Sequence, residues 1–283
     1  MYTRIIRAMN NQDQRGNLRK MRTVLEEEVQ YYLPLYNNLD KGTEIHLNPF
    51  IGKEICLQFT GNINCVVTGK KIKKTFGEGM SYDAFRSSPL ADESIIRPEL
   101  STAHLGIERR DLEWEIRHHV VPHFVYLSYT SGYKVGVTRY SQIPTRWIDQ
   151  GATKAIKIAE TPYRQAAGVI EVALKNFIAD KTNWRTMLKG SDSPDRDILE
   201  LRDELIERIP DELKTFVLTD ETEMDIHFPV IQYPEKPKSV KLDKLPTIQK
   251  KLTGIKGQYL IFEDNSVFNV RSHSAYEITF EAL

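Results

Sequence analysis

Arg146 and Glu171 are side chains of the two types that phosphodiester hydrolysis needs. The reaction requires charge neutralisation on non-bridging phosphate oxygens, for which a guanidinium is suited, and a hard cation held by carboxylate oxygen. Arg146 would supply the first function, and Glu171 would bind Mg²⁺ or Mn²⁺. The alternative is structural: Glu171 is then an ordinary solvated side chain, and Arg146 pairs with Asp149.

A cluster of four lysines offers a second kind of phosphate contact. Lys70, Lys71, Lys73 and Lys74 follow one another on a short hairpin-like stretch, and alternate lysines of a strand project to the same side. Such a row could grip phosphates. An edge strand protected from aggregation by its lysines accounts for the cluster equally well.

The sequence predicts no bound zinc. Its two cysteines, Cys56 and Cys65, form no C-x-x-C pair. We expect both cysteines to be free thiols in a reducing compartment. A metal site at His118, His119 and His123 is an alternative, but without cysteines such a cluster more often faces solvent or caps a strand.

Charge is balanced over the whole chain but segregated along it. The 39 Lys and Arg cancel the 39 Asp and Glu. Residues 131–190 carry ten basic and four acidic residues, residues 191–225 four and thirteen, and residues 236–256 seven and one. The basic stretches could form a groove that faces DNA or RNA phosphates, or they could be solvated surface. No apolar run approaches the roughly 20 residues that span a bilayer, so we expect a cytoplasmic protein without membrane contact.

Short apolar alternations predict strands in the first and last parts of the chain. Ile55, Leu57 and Phe59 alternate with polar residues, and HFPVIQY, GQYLIFE, SVFNVRS and YEITFEA are extended segments near the end. Residues 77–110 keep no period, which predicts a long loop. We expect the loop to be held by the packing of five apolar side chains: Tyr82, Phe85, Leu90, Ile95 and Ile96.

The middle of the chain predicts the order strand, strand, helix, strand, helix, helix. VPHFVYLSY and YKVGVTR form an antiparallel hairpin, a short helix ends at Gly151, and AIKIAE is the third strand. Thr161 is placed to cap the next helix, and a further helix lies around 195–208. The predicted fold class is α+β, with a central α/β sandwich at 121–210 between mainly β regions at 1–120 and 211–283.

The order of these central elements resembles the GIY-YIG nuclease superfamily. VYL at 125–127 and KVG at 134–136 stand where the two tripeptides of the name fall. The positions that follow in the superfamily's order are Arg146 and Trp147 on the first helix, Glu171 on the second, and Asn183 twelve residues later. The resemblance implies that Arg146 holds the scissile phosphate and Glu171 binds the metal. It also implies that Tyr126 positions or deprotonates water and that Asn183 assists.

Two positions depart from the superfamily's pattern. Lys134 begins the second tripeptide where many relatives have tyrosine, and Gln150 stands where histidine or tyrosine is frequent. Both changes remove a group able to move protons, so a binding surface with reduced or absent cleavage also fits. The residues expected to contact nucleic acid are Lys134, Arg139, Trp147, Lys70 and Lys71.

Over nearly the whole chain, the sequence resembles the bacterial family catalogued as domain of unknown function 2797. The matching runs include FTGNINC, KVGVTR, IPTRWIDQGA, KTNWRTMLKG and GIKGQYLIF. Many members carry cysteines in metal-like patterns in the N-terminal half, and the resemblance implies a branch that has lost them, with a degenerate metal-site segment within 1–120. Cys65 remains, and the other matching positions read Thr68, Ser81, Ala84, Ala91, Ser94, Ser101 and Glu108.

Three hypotheses therefore stand. The first is a metal-dependent endonuclease acting on DNA or RNA, and the second is a nucleic-acid-binding module that uses the same basic cleft without turnover. The third is a scaffold whose acidic stretch at 191–225 meets a protein partner. Convergence of Tyr126, Arg146 and Glu171 in one open cleft is the arrangement that the first two require.

Overall fold

A computed structural model describes residues 14–178, 183–190 and 194–283. The strands in these residues are β1 (Arg15–Leu18), β2 (Arg22–Leu25), β3 (Val29–Asn37), β4 (Asp40–His46), β5 (Glu54–Ile63), β6 (His123–Tyr129), β7 (Tyr133–Arg139), β8 (Lys154–Thr161), β9 (Met224–Asp225), β10 (Lys238–Val240), β11 (Thr247–Lys256), β12 (Tyr259–Phe262), β13 (Ser266–Asn269) and β14 (Tyr276–Ala282). The α-helices are α1 (Tyr82–Ser87), α2 (Leu112–His119), α3 (Thr145–Asp149), α4 (Arg164–Lys175), α5 (Trp184–Lys189) and α6 (Ile198–Ile206). None of the helices in these ranges has both the length and the apolar character needed to cross a bilayer.

The chain divides into two compact units. The terminal unit consists of Met1–Arg86 and His227–Leu283, and the central unit is Ser87–Ile226. The sequence pattern predicts three consecutive segments instead, 1–120, 121–210 and 211–283. The two ends of the chain share one unit because their strands pair with each other: β14 lies between β5 and β1.

The terminal unit is built on one large sheet. Its strand order is β10-β13-β12-β11-β5-β14-β1-β3-β2, and β4 pairs with β3. The alternation of Ile55 and Leu57 with polar residues places both apolar side chains in the core, where they are at most 1% exposed. The predicted mainly β regions at the two ends of the chain are confirmed, as is the α+β class.

The central unit has a four-stranded antiparallel sheet of order β7-β6-β8-β9. Helices α4 and α6 supply Ile170, Leu174 and Leu201 to a core that also contains Val125 and Leu127 from β6. The observed order β6, β7, α3, β8, α4 is the one that the sequence predicts. This arrangement brings the N-terminal end of α4 close to the end of β8.

The expected cap of α4 is wrong. Thr161 is the last residue of β8, and its hydroxyl donates to the Tyr163 carbonyl at 3.0 Å instead of accepting from the helix. Tyr163 occupies the N-cap position and offers no side-chain hydrogen bond. The error arises because the strand runs one residue beyond the predicted AIKIAE segment and the helix begins two residues later than expected, at Arg164.

The segment that follows residue 87 is held mainly by polar contacts, contrary to the expected apolar packing. Ile96 is 76% exposed and Leu90 is 53% exposed. Arg164 of α4 donates from Nε to the Ser94 carbonyl at 2.9 Å and from a terminal nitrogen to the Ile95 carbonyl at 2.7 Å. Arg164 thus donates hydrogen bonds to two backbone carbonyls that an apolar side chain would leave unsatisfied.

Close backbone packing adds to these polar contacts. Gly168 of α4 faces the 3₁₀ turn Pro98–Leu100, and a β-carbon at that glycine would lie 2.2 Å from the Glu99 backbone nitrogen. The turn therefore lies directly on the helix that carries Glu171.

Candidate functional site

Tyr126 reaches across the edge strand β7 at a point where that strand has no side chain. Tyr126 and Gly136 are cross-strand partners, and a β-carbon at Gly136 would lie 2.6 Å from the tyrosine Oη. The ring also packs edge-on to Trp147, with the ring centroids 5.9 Å apart. Gly136 is thus the residue that lets the phenol cross the strand.

The Tyr126 hydroxyl ends in a polar environment formed by α3 and the residue after it. Its Oη donates to Gln150 Oε1 at 3.1 Å. Burial raises the pKa of the Tyr126 phenol, and the neighbouring Arg146 and Gln150 offset part of that rise. A phenol whose pKa is above its usual value stays protonated at neutral pH, so Tyr126 serves here as a hydrogen-bond donor.

Arg146 lies on α3, one turn before Gln150, and is partly exposed. Its guanidinium is close enough to lower the pKa of Tyr126. Across the described ranges, no carboxylate forms an ion pair with Arg146, so the alternative pairing with Asp149 does not occur. The guanidinium therefore keeps hydrogen-bonding capacity for an anion.

Glu171 lies on α4, one turn after Gly168, and is only 7% exposed. Its Oε1 is 3.3 Å from the Lys175 ammonium. The carboxylate acts electrostatically on both Tyr126 and Arg164. Tyr126, Arg146, Gln150, Arg164 and Glu171 thus share one site, which we call the Arg146 cluster.

Arg164 adds a second, deeply placed cation to the cluster. Burial lowers the pKa of its guanidinium to about 10, Glu171 opposes that shift, and Arg146 and Arg139 add to it. The residue type and position of Arg164 gave no signal in the sequence, because its partners are carbonyls about 70 residues away. With Arg164 included, the site is more basic than Arg146 and Glu171 alone suggest.

The divalent ion predicted at Glu171 stays a prediction. Magnesium held by one carboxylate keeps several of its waters, whereas Glu171 is nearly buried and already ion-paired with Lys175. Among the residues described, no three His, Cys, Asp or Glu side chains are grouped so that they could hold a metal. In this conformation the Glu171 carboxylate neutralises Lys175.

The structure also locates the four other predicted site residues of the central unit. Asn183 caps α5, where its Oδ1 accepts from the Arg185 N–H at 2.9 Å. Trp147 is 2% exposed, so its ring is covered and cannot stack on a base in this conformation. Lys134 and Arg139 lie half-buried on β7.

Lys70 and Lys71 belong to the terminal unit. Lys71 donates from Nζ to Asn62 Oδ1 at 2.6 Å, and its backbone forms an isolated bridge with Asn64. The expectation of a lysine row along a strand is not met, because only Lys71 takes part in a bridge and Lys73 and Lys74 lie in a bend.

Two of the three clustered histidines are buried, so of the two expectations, facing solvent or capping a strand, the first does not hold for them; His123 is the first residue of β6. His119 is 3% exposed and its Nδ1 is 3.0 Å from Ser101 Oγ, while His123 is fully buried and its Nδ1 donates to the Val121 carbonyl at 2.7 Å. Burial lowers the pKa of His119 to about 4 and that of His123 to about 3. Both imidazoles are therefore neutral at physiological pH.

The sequence model of one protein family, described as protein of unknown function (DUF2797), matches residues 52–278. The chain belongs to this family. Searches of curated proteins and of solved structures gave no match.

The positions at which resemblance to the DUF2797 family implies cysteines include a compact group around Cys65. Its Sγ accepts from the Ser81 N–H at 3.1 Å, and the Ala84 N–H donates to Ser81 Oγ at 3.2 Å. Burial raises the pKa of the thiol, but hydrogen bonds from Thr68, Ser81 and Val67 outweigh it and bring the pKa to about 7. Hydrogen bonds hold this turn together in the present chain.

Proposed function

We propose that this protein binds nucleic acid and that the Arg146 cluster of its central unit contacts the sugar-phosphate backbone. The observation that carries the proposal is the convergence of Arg146 with Arg164 and Tyr126, with no carboxylate of the described residues paired to Arg146. Guanidinium groups bind phosphate oxygens through paired N–H donors. The Tyr126 hydroxyl would then hold Gln150, and through it the end of α3, in place.

Binding without turnover is the form of the proposal that the geometry supports best. Glu171 is nearly buried and paired with Lys175, and Tyr126 has a raised pKa. Neither group is in a state to activate water, because a general base must be deprotonated and within reach of its water.

The binding test uses fluorescence anisotropy with labelled single-stranded DNA, duplex DNA and RNA. Arg146→Ala is expected to weaken the best-bound probe about tenfold, since a charge-assisted hydrogen bond contributes about 1.5–3 kcal/mol. The slope of log affinity against log salt should fall by about one. Arg196→Ala is the matched control, because Arg196 lies in the same unit but pairs with Glu204.

Two results would contradict binding at this site. One is the absence of salt-dependent affinity for all three probes. The other is an Arg146→Ala variant that keeps its fold, as judged by circular dichroism, and binds as tightly as the parent and the Arg196→Ala control.

Metal-dependent hydrolysis is the second candidate, favoured by the position of Tyr126 beside both Arg146 and Glu171. It requires the cover over Glu171 to open when substrate binds. The same probes incubated with Mg²⁺ or Mn²⁺ should then be cut by the parent and by Glu204→Gln, but not by Glu171→Gln. Intact probes under every condition would leave binding as the function and remove hydrolysis.

A further inference from the structure

A basic cavity in the terminal unit is separate from the Arg146 cluster. Its volume is about 410 Å³, within the range of about 300–1,000 Å³ that small-molecule sites occupy. The side chains that line it are Lys73, Lys74, Thr75, Lys241, Asp243, Ser272, His273 and Tyr276. All of them belong to the terminal unit, so the following inference does not depend on the proposed function.

The floor of the cavity is rigid and internally satisfied. Tyr276, 7% exposed, donates its hydroxyl to the two oxygens of Asp243 at 3.0 and 3.1 Å. His273, 3% exposed, donates from Nδ1 to the Asn269 carbonyl at 2.8 Å and accepts at Nε2 from the Leu242 N–H at 3.3 Å. A carbonyl oxygen can only accept, which fixes this tautomer of the imidazole.

The walls of the cavity carry an excess of positive charge. Lys73, Lys74 and Lys241 line it, and all three are exposed to solvent. In the described part of the chain, none of these three ammonium groups is ion-paired with a carboxylate, whereas Lys250 and Lys251 of the same basic stretch pair with Asp264 and Glu263. Three ammonium groups around one cavity favour a multiply charged anion, and lysine is a common phosphate ligand.

Asp243 makes the cavity selective for more than bare phosphate. Its carboxylate accepts the one hydrogen bond that the Tyr276 hydroxyl can donate, and a carboxylate has about four lone-pair sites. The remaining sites can accept hydrogen bonds from hydroxyl or amino groups of a ligand, and they repel a second anionic group. A ligand with phosphate at one end and hydroxyl or amino donors at the other would satisfy both the lysines and Asp243.

We propose that this cavity binds a nucleoside phosphate, with Lys73, Lys74 and Lys241 on the phosphate and Asp243 on the hydroxyl or amino groups of the nucleoside. The buried His273 and Tyr276 also line the cavity. The nucleotide comes either free from solution or as the phosphorylated end of a nucleic acid, since both present the same chemistry to these side chains.

The test titrates the full chain by isothermal calorimetry with AMP, adenosine, inorganic phosphate and a 5′-phosphorylated oligonucleotide. AMP is expected to bind more tightly than adenosine or phosphate. A Lys73→Gln, Lys241→Gln double variant should weaken AMP by about tenfold or more, because each lost charge-assisted contact is large on this scale. Lys244→Gln is the matched control, since this lysine lies on the same turn as Lys241 but does not line the cavity.

A second variant separates recognition of the nucleoside from recognition of the phosphate. Asp243→Asn keeps an oxygen that can accept from Tyr276, so the floor is preserved. It should weaken AMP severalfold while leaving inorganic phosphate unchanged or tighter, because a negative charge is removed.

The possible outcomes separate cleanly. Tighter binding of the oligonucleotide than of AMP, if the double lysine variant weakens it and Arg146→Ala does not, identifies a nucleic acid end as the source. Tighter binding of AMP identifies a free nucleotide. No heat with any phosphate probe, or AMP binding that the double lysine variant leaves intact, overturns the proposal. Equal affinity for AMP and phosphate, unaffected by Asp243→Asn, overturns the assignment of a nucleoside. Arg146→Ala should bind AMP like the parent, which keeps this result distinct from that of the Arg146 cluster.

Discussion

At the scale of single residues, the candidate site depends on what glycine leaves out. Gly136 provides the space through which the Tyr126 ring crosses β7, and the phenol then reaches Gln150 at 3.1 Å. The tripeptide pattern in the sequence predicted that these two positions matter. The pattern could not predict that the phenol is buried, because its burial depends on the packing of Trp147 from α3 against the ring.

Gly136→Ala is expected to destabilise the protein by about 1–3 kcal/mol, the usual effect of overpacking a filled interior. The new methyl group would lie 2.6 Å from Oη and 2.7 Å from Cζ of Tyr126, so the ring must move and lose Gln150. Urea unfolding measures the change. Tyr126→Phe removes the nearest of these atoms, so the loss should be smaller when both substitutions are combined than the sum of the two. Strict additivity would show that Gly136 does not act through Tyr126.

At the scale of elements, apolar periodicity predicted the helices, whereas the long-range polar contacts could not be predicted from the sequence. The helical spacing of Ala166, Ile170 and Leu174 predicted α4, and all three are buried. Phe177 shares that spacing but is 55% exposed, because the helix ends at Lys175 and the ring centroid instead lies 4.9 Å from the Arg208 guanidinium carbon. The contacts from Arg164 to the Ser94 and Ile95 carbonyls follow no local pattern.

The packing of α4 against the Pro98–Leu100 turn gives a prediction whose sign depends on two opposed effects. Gly168→Ala would raise intrinsic helix stability by up to about 1 kcal/mol. The added methyl group would, however, lie 2.2 Å from the Glu99 nitrogen and 2.5 Å from the Pro98 carbonyl carbon, which are backbone atoms that cannot rotate away. We expect net destabilisation, together with faster hydrogen exchange at residues 94–101.

The control for this prediction is Val172→Ala, an exposed position on the same helix. It should be neutral or stabilise by a few tenths of a kcal/mol, because only helix propensity changes. If Gly168→Ala behaved like this control, the turn would be a loose cover rather than a packed one. Glu171, one turn further along α4, would then be more accessible than the contacts indicate.

At the scale of the whole molecule, strands were predictable but their partners were not. The alternation of apolar residues predicted strands near both ends of the chain, and β5 and β14 are the result. Their pairing joins residues more than 200 positions apart, as in the register of Phe280 with Leu57. Alternation fixes which face of a strand is buried and leaves open which strand lies beside it, so the two-unit organisation was beyond the sequence pattern.

Acid sensitivity of the central unit is the molecular consequence of its buried histidines. His119 and His123 have pKa values of about 4 and about 3 in the folded protein, lowered chiefly by burial and further by Arg164 and Arg139. Both groups have an ordinary pKa of 6.5 when unfolded. Below pH 6.5 the unfolded chain takes up protons that the folded chain does not, so stability is full above that pH. It is lost as the pH falls toward 4, by up to about 1.4 kcal/mol per pH unit for each histidine.

Urea unfolding of the full chain between pH 7.5 and 4.5 measures this slope. His123→Asn keeps a donor for the Val121 carbonyl but cannot titrate, so it should lower stability at pH 7.5 and flatten the decline at acid pH. Ile158→Val, in the same core, should lower stability by about 0.5–1.5 kcal/mol at every pH without changing the slope. An unchanged slope in His123→Asn would mean that the imidazole takes up its proton in the folded state, and the buried neutral histidine would have to be abandoned.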